Sequence, residues 1–200
     1  MNYKEELNKI IRNLDGKPSL LLHSCCAPCS SYVLEYLRNF FQITVLYYNP
    51  NIEPIDEYTK RKEEQIRLIN DVYKDVNFLD CDYDNQLYEK IVKGLEQEKE
   101  GGSRCYKCYK LRIEKAAALG EGKFDFFGTT LTVSPHKNAK FINEIGLELE
   151  KKYNIKFLIS DFKKNEGYKR SIVLSREYNL YRQDYCGCKY SRKDLKDGNN

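Results

Sequence analysis

The stretch SLLLHSCCAPC, residues 19–29, decides the fold because an apolar strand passes directly into a cysteine-rich turn. Ser19 to His23 is a short apolar run after a Gly-Lys-Pro turn, which is typical of a buried strand. A helical stretch is predicted from about residue 30 to residue 39, with Val33, Leu34 and Leu37 on one face. Strand, turn and helix in immediate succession indicate the start of an α/β unit.

The rest of the chain repeats this alternation. Strands are predicted at Ile43–Tyr48, Val76–Leu79, Phe124–Thr129 and Lys156–Ser160, and helices at Ile55–Asp71, Asn85–Lys99, Ser103–Ala118, Lys137–Tyr153 and Gly167–Tyr178. Strands alternating with helices predict a parallel sheet that is covered on both faces. No repeat, low-complexity block or long linker divides the chain, so we predict a single α/β domain over residues 1–200.

The composition is that of a soluble globular protein, with 32% charged and 41% hydrophobic residues in 200. No apolar run approaches the roughly 20 residues needed to cross a bilayer, so no membrane association is expected. Residues 1–14 have the pattern of an amphipathic helix and not of a signal peptide. We therefore predict a cytoplasmic protein, and in that compartment clustered cysteines bind metal or perform redox chemistry more often than they form disulfides.

Six of the eight cysteines form three pairs that lie far apart in the sequence. The pairs are Cys25 with Cys26, Cys105 with Cys108, and Cys186 with Cys188. In a doubly wound sheet, ligands bind beyond the carboxyl ends of the strands. The first pair, the loop 49–54, the segment 129–136 and Asp161 each follow a predicted strand. The sequence therefore predicts one site at this edge of the sheet, where converging thiols would suit a metal centre.

Several chemistries stay open for these thiols. A zinc site needs four ligands and a cubane iron–sulfur cluster about four, so two of six thiols could bind a second metal or form a redox dithiol or disulfide. An adjacent cysteine pair is not expected to point both sulfurs at one ion. Cys26 and Cys29 could instead be a thioredoxin-like redox pair, although thioredoxins lack two further pairs. Cys81 is expected to be a small core residue.

A hydroxyl-rich segment, TTLTVSPHK at residues 129–137, follows the fourth strand. It could hold a phosphate, a polar nucleoside or a proton shuttle, and His136 has a side chain suited to acid–base chemistry. Equally, Ser134 could cap the next helix with Pro135 at its first position. The sequence contains neither a G-x-x-x-x-G-K-[ST] loop nor a G-x-G-x-x-G fingerprint, so ordinary ATP and dinucleotide sites lack support.

Basic and aromatic side chains are concentrated in residues 163–196, which include Lys193 and Lys196. Basic groups can neutralise phosphates while aromatic rings stack on unpaired bases. The alternative is a solvated helix face with tyrosines packed beneath it. The formal net charge of +4 does not by itself imply nucleic-acid binding.

Six stretches together resemble the QueH family. They are H-x-C-C-A-P-C (23–29), Y-N-P-N-I-x-P-x-x-E-Y (48–58), R-C-x-x-C-Y-x-L-R (104–112), T-T-L-x-x-S-P-H-K (129–137), S-D-F-K-K-x-x-G-Y-x-R-S (160–171) and L-Y-R-Q-x-Y-C-G-C (180–188). The resemblance implies a cobalamin-independent epoxyqueuosine reductase, which removes the epoxide oxygen in the last step of queuosine synthesis at the tRNA wobble position. It also implies a Rossmann-like, doubly wound parallel sheet of the adenine-nucleotide α-hydrolase type, with a basic, tyrosine-rich helical C-terminal segment.

The resemblance further implies a [4Fe-4S] cluster with a second iron ion nearby. The implied metal ligands are Cys25, Cys26, Cys105, Cys108, Cys186 and Cys188, with Asp161 as the expected carboxylate ligand. His136 or Tyr106 would donate a proton. The anticodon stem-loop of a tRNA bearing epoxyqueuosine would be bound by Lys163, Lys164, Lys169, Arg170 and Arg182, and electrons would come from a donor that the sequence does not identify.

Two other hypotheses remain open. One is a zinc protein that binds tRNA without catalysis. The other is an ATP-dependent tRNA thiolase, although cysteines stand where the Ser-Gly-Gly-x-Asp-Ser phosphate loop of ATP-pyrophosphatase domains would follow the first strand.

Overall fold

The computed structural model describes residues 1–192, and within them five strands form one parallel sheet. The strands are β1 (Ser19–His23), β2 (Gln42–Tyr47), β3 (Asn77–Asp80), β4 (Phe126–Thr129) and β5 (Lys156–Phe157). Their order is β3-β2-β1-β4-β5, and every pairing is parallel. The chain therefore winds outward from the central β1 to β3 and then returns to the other side of β1, which confirms the predicted doubly wound topology.

Seven α-helices lie within residues 1–192. They are α1 (Tyr3–Arg12), α2 (Ala27–Leu37), α3 (Ile55–Asp71), α4 (Asn85–Val92), α5 (Ser103–Gly120), α6 (Ala139–Tyr153) and α7 (Gly167–Glu177). Successive residues of β1 point to opposite faces of the sheet. Leu20 and Leu22 pack in a cluster with side chains of α2, α3 and α7, whereas Leu21 packs with those of α5 and α6. The run of leucines is thus fully buried because both faces of β1 are covered.

Among the element ends that differ from the sequence prediction, those of β5 and α4 do so because side chains bind the backbone there. β5 ends at Phe157 and does not reach Ser160, since Asn143 of α6 binds both the N–H and the carbonyl of Ser160, at 3.0 and 2.9 Å. α4 ends at Val92, seven residues before its predicted end, and Arg104 donates to the carbonyls of the residues that follow, including Glu96 at 2.8 Å.

The predicted cap at Ser134 is wrong. Residues Thr130–Val133 form a short 3-10 helix, and α6 begins only at Ala139. Asn138 is its cap, because its side-chain oxygen accepts from the backbone N–H groups of Lys140 and Phe141. Segment 134–137 is thereby free to line the edge of the sheet.

Over the described residues, no helix has the length and apolar character that a membrane span requires. The cytoplasmic location stays a prediction.

Candidate metal centre

Three cysteine sulfurs meet where β1 passes into α2. The Sγ atoms of Cys25, Cys26 and Cys29 all lie within 4.8 Å of one another, and those of Cys25 and Cys26 are 3.8 Å apart. An ion bound tetrahedrally with metal–sulfur bonds of about 2.3 Å spaces its sulfurs by about 3.8 Å. The sulfurs of the adjacent cysteines are therefore close enough to share an ion, which their spacing did not lead us to expect, and Cys29 lies with them although its spacing first suggested a thioredoxin-like pair.

The three thiols differ in acidity because they are hydrogen-bonded to one another. Hydrogen bonds from Cys26 and Cys29 hold the pKa of the Cys25 thiol well below its usual value. The same bond to Cys25 raises the pKa of Cys26 to about 11, and that of Cys29 also rises. Cys25 is therefore the first of the three to become a thiolate, the form that binds metal.

The other two cysteine pairs lie on the first turns of α5 and in the C-terminal loop. Cys105 accepts a hydrogen bond from the backbone of Gly101 at 3.2 Å, and Cys108 packs with Cys188 and Tyr88 in one buried cluster. Burial raises the pKa of Cys105 and Cys188, and it raises that of Cys108 to about 12. These four sulfurs are more widely spaced than the first group, since residues 1–192 contain no second set of three ligand atoms within 4.8 Å. All eight cysteines carry free thiols.

Arg61 fixes the loop that carries Cys186 and Cys188. Its guanidinium is 2% exposed, pairs with Glu57 at 2.7 Å, and donates to the carbonyls of Cys186 and Tyr185 at 3.2 and 3.4 Å. Gly187, at φ +124°, allows this close approach, because a Cβ there would lie 3.1 Å from the Arg61 Nη1 atom. Nothing in the sequence marked Arg61 out for this role.

A second buried arginine lies between the end of β1 and Cys108. Arg112 donates to Asn49 Oδ1 at 2.6 Å and lies 3.3 Å from His23 Nε2 and 3.9 Å from Cys108 Sγ. Burial and the Arg112 charge lower the pKa of His23 to about 3, so this histidine is neutral. Burial alone would lower the pKa of Arg112, but electrostatic interaction with the sulfurs of Cys108 and Cys25 raises it. The guanidinium is therefore a permanent positive charge beside the sulfurs.

A cavity of about 460 Å³ opens onto these sulfurs. Its lining includes Cys25, Cys29, His136, Lys137, Arg182 and Cys186. It lies beyond the carboxyl ends of β1 and β4, where the chain reverses direction in the sheet and where ligands bind in such folds. Burial would lower the pKa of Lys137, yet Cys186 and Cys25 raise it, so its ammonium stays charged while facing the thiols. Lys137 and Arg112 each end a stretch that carries the family resemblance, but the sequence assigned neither of them a role, because a single basic residue carries no spacing signal.

The structure places the other predicted site residues less centrally. His136 is exposed at the mouth of the cavity. Tyr106 is not among the cavity-lining residues and packs edge-on against Phe141, with ring centroids 5.4 Å apart. Asp161 is 5% exposed, pairs with Lys163 at 3.1 Å, and lies outside the group of closely spaced ligand atoms. Their catalytic and ligand roles stay predictions.

The basic C-terminal segment is only partly helical, because α7 ends at Glu177 and residues 178–188 form an irregular loop. Several of its cations are paired within the chain: Lys163 with Asp161, Lys169 with Glu166, and Arg170 with Glu35. Arg182 donates to Ser175 Oγ at 3.0 Å and also lines the cavity. Lys164 follows Lys163 in the short 3-10 helix Phe162–Asn165. Lys193 and Lys196 lie outside the described residues.

The sequence of this chain matches the model of the family described as epoxyqueuosine reductase QueH over residues 20–194. The chain belongs to this family. It is 45% identical over 194 residues to the QueH epoxyqueuosine reductase of Streptococcus pyogenes serotype M1, covering 94% of this chain and 76% of the relative. The QueH enzyme of Staphylococcus epidermidis is 45% identical over 202 residues, covering 96% and 84%. The QueH enzyme of Thermotoga maritima is 35% identical over 179 residues, covering 86% and 90%.

Two solved structures share the fold of this QueH family member. The U34-tRNA thiolase NcsA from Methanococcus maripaludis, determined with its [4Fe-4S] cluster, superposes with a TM-score of 0.54 at 15% identity, covering 98% of this chain and 69% of that one. A "predicted subunit of tRNA methyltransferase" from Methanocaldococcus jannaschii gives a TM-score of 0.53 at 16% identity, covering 79% and 76%. Together with the strand order, these likenesses confirm a doubly wound α/β fold of the adenine-nucleotide α-hydrolase type.

Proposed function

We propose that this protein reduces epoxyqueuosine to queuosine at the wobble position of tRNA, the last step of queuosine biosynthesis. The activity is the one named for its family relatives. The observation that supports it is the convergence of Cys25, Cys29 and Cys186 on one cavity that also holds a charged lysine. Loss of an epoxide oxygen to leave an alkene consumes two electrons and two protons and releases water, so the site needs both redox and proton-donating groups.

The donor set fits an iron–sulfur cluster with an adjacent iron. Thiolates are the ligands of such clusters, and hydrogen bonds to sulfur help set their potential. Here Gly101 donates to Cys105, and Gln183 donates to Cys26 at 3.0 Å. The residues that would hold the metals are Cys25, Cys26, Cys105, Cys108, Cys186 and Cys188, with Cys29 and Asp161 as further candidates. When bound, the cluster and the iron would supply electrons and a Lewis acid at the cavity.

The residues of the chain itself bind and orient the substrate. The volume of the cavity suits a modified base that has left its stack, because single-stranded anticodon bases can be splayed out by RNA-binding proteins. His136 at the mouth is our candidate to deliver a proton, and Lys137 Nζ holds a second proton inside the cavity. Tyr106 is a weaker candidate because its ring packs against α6.

The tRNA would approach over the basic residues beside the mouth. Arg182 lines the cavity, and Lys163, Lys164, Lys169 and Arg170 lie on the neighbouring helical segments. Those that form ion pairs within the chain would have to exchange a carboxylate for a phosphate. We therefore expect binding to weaken steeply as the salt concentration rises.

The test is anaerobic turnover of a tRNA that carries epoxyqueuosine, driven by a chemical reductant. The unmodified protein should produce queuosine, and Cys25→Ala should lose turnover because the most acidic thiol of the site is gone. Cys81→Ala is the matched control and should retain activity. Full activity of Cys25→Ala would refute the proposal.

A further inference from the structure

A groove runs between α4 and α5 and shares no lining residue with the cavity. Its volume is about 460 Å³. The apolar side chains of Leu87, Ile91 and Leu111 line it together with Lys90, Lys93, Lys107, Lys110 and Glu114. The groove therefore combines an apolar surface with a concentration of lysines that the proposed reaction does not use.

Three lysines of the groove carry a positive charge that forms no ion pair with any carboxylate of residues 1–192. Lys90, Lys93 and Lys107 are exposed and, within residues 1–192, have no ion-pair partner. Lys110 pairs with Glu148, and Glu114 pairs with Lys152, so those two charges are already neutralised. Three free ammonium groups thus surround the apolar side chains.

Two of the three apolar side chains of the groove lie close to cysteines of the candidate metal centre. Ile91 and Leu111 pack on the buried cluster that contains Cys108 and Cys188. One layer of side chains therefore separates the groove from two of the proposed metal ligands. In contrast, the cavity that would receive the base is lined by other residues, from the loops at the edge of the sheet and from α2, α3 and α7.

We propose that this groove is the docking surface for an acidic one-electron carrier protein. The inference rests on the proposed function, which requires electrons from outside the chain. Complementary charge steers such encounters, and an apolar floor suits a protein partner, whereas a phosphate backbone would gain nothing from it. Two reduced carriers would each give up one electron and be oxidised. With two protons, these electrons convert the epoxide to an alkene, and the oxygen leaves as water.

The experiment compares two triple charge reversals that change the net charge equally. The variant Lys90→Glu/Lys93→Glu/Lys107→Glu alters the groove, and Lys4→Glu/Lys74→Glu/Lys123→Glu alters exposed lysines elsewhere. Reduced flavodoxin, an acidic flavin protein, is the carrier, and dithionite is the carrier-free reductant. We expect the groove variant to raise the KM for flavodoxin by about tenfold. Its rate with dithionite and its KM for tRNA should match those of the control variant.

Calorimetric titration of flavodoxin into the metal-loaded protein at low salt measures docking without turnover. The groove variant should bind about tenfold more weakly than the control variant. Equal binding by both variants would overturn the proposal. A groove variant with a higher KM for tRNA than the control variant, whichever reductant is used, would also overturn the proposal. The lysines would then contact RNA. If the unmodified protein bound flavodoxin but showed no turnover with dithionite, the proposed function would fail while the docking surface stood.

Discussion

A buried arginine and a half-buried lysine carry positive charge beside the cysteines. Arg112 is 1% exposed and Lys137 faces the thiols across the cavity. A buried charge is costly to desolvate unless an opposite charge or hydrogen-bond partners compensate it. Here Asn49 accepts a hydrogen bond from Arg112, and the Cys25 thiolate compensates the charge of both cations. The two cations in turn stabilise the anionic form of the sulfurs, the form that a metal centre requires.

The role of Cys29 in metal binding can be tested by comparison with Cys81, a cysteine of similar exposure. We expect Cys29→Ser to lower iron affinity at least about tenfold, because its sulfur lies within the group that can share an ion. Cys81→Ser should leave iron binding unchanged, since Cys81 lies beyond the end of β3, outside that group. Anaerobic iron titration of both variants is the measurement. Equal affinity in the two would show that Cys29 only packs against the centre.

Among the elements, α3 supports the C-terminal loop. Arg61, Glu64 and Arg67 follow one another at three-residue spacing and so lie along one side of the helix. Arg61 binds the carbonyls of residues 185 and 186, Glu64 accepts from the backbone of Tyr181 at 2.7 Å, and Arg67 donates to the carbonyl of Tyr178 at 3.0 Å. The position of the last cysteine pair is therefore set by a helix more than a hundred residues away in sequence.

Gly187→Ala tests this support. A Cβ would lie 2.9 Å from Ile52 Cγ1 and 3.1 Å from Arg61 Nη1 at a φ of +124°. We expect a loss of unfolding free energy of about 1–3 kcal/mol together with a loss of bound iron, because Cys186 and Cys188 move with the loop. Gly94→Ala is the control, since Gly94 has a φ of +82° but open space around it. It should lose stability through strain alone and keep its iron. Full iron retention by Gly187→Ala would contradict the account.

The contact of α3 with the loop is also expected to depend on pH. Hydrogen bonds from Arg67 and from the backbone of Tyr181 lower the pKa of Glu64 in the folded protein. The stability that ionised Glu64 contributes is complete above a pH of about 4.3, the pKa of a glutamate in the unfolded chain. It is lost as the pH falls through the lower pKa that Glu64 has in the folded protein.

Glu64→Gln should therefore reduce the unfolding free energy by about 1 kcal/mol near neutral pH. The difference should shrink below a pH of about 4 and then disappear. Denaturant titrations of both proteins at several pH values measure it. A difference that stays constant down to low pH would show that the charge of Glu64 contributes nothing.

At the scale of the whole molecule, the alternation of strands and helices was enough to predict the sheet. The buried run of β1 has apolar residues at successive positions because both faces are covered, and this pattern is visible in the sequence. The convergence of the strand ends then predicted a single site, and Cys25, Cys186 and His136 do line one cavity. Both inferences depend on local patterns and on a general rule of parallel sheets.

Other parts of the site could not be predicted because they depend on contacts between distant residues. The neutral state of His23 follows from complete burial beside Arg112, which is 89 positions away. The pairing of Arg170 with Glu35, which is 135 positions away, likewise appears only in the fold, whereas the sequence suggested a free cation. The early end of α4 is a further example, since Arg104 of the next helix binds the carbonyls that follow it.

The central claim is that cysteines from three distant segments form one redox-active metal centre. The most direct measurement is elemental analysis with electron paramagnetic resonance of the protein purified without oxygen. We predict about five iron atoms and four acid-labile sulfides per chain, as one cubane cluster and one further iron, with a signal from the reduced cluster that changes when epoxyqueuosine-containing tRNA is added. Stoichiometric zinc in a colourless protein without such a signal would contradict the account.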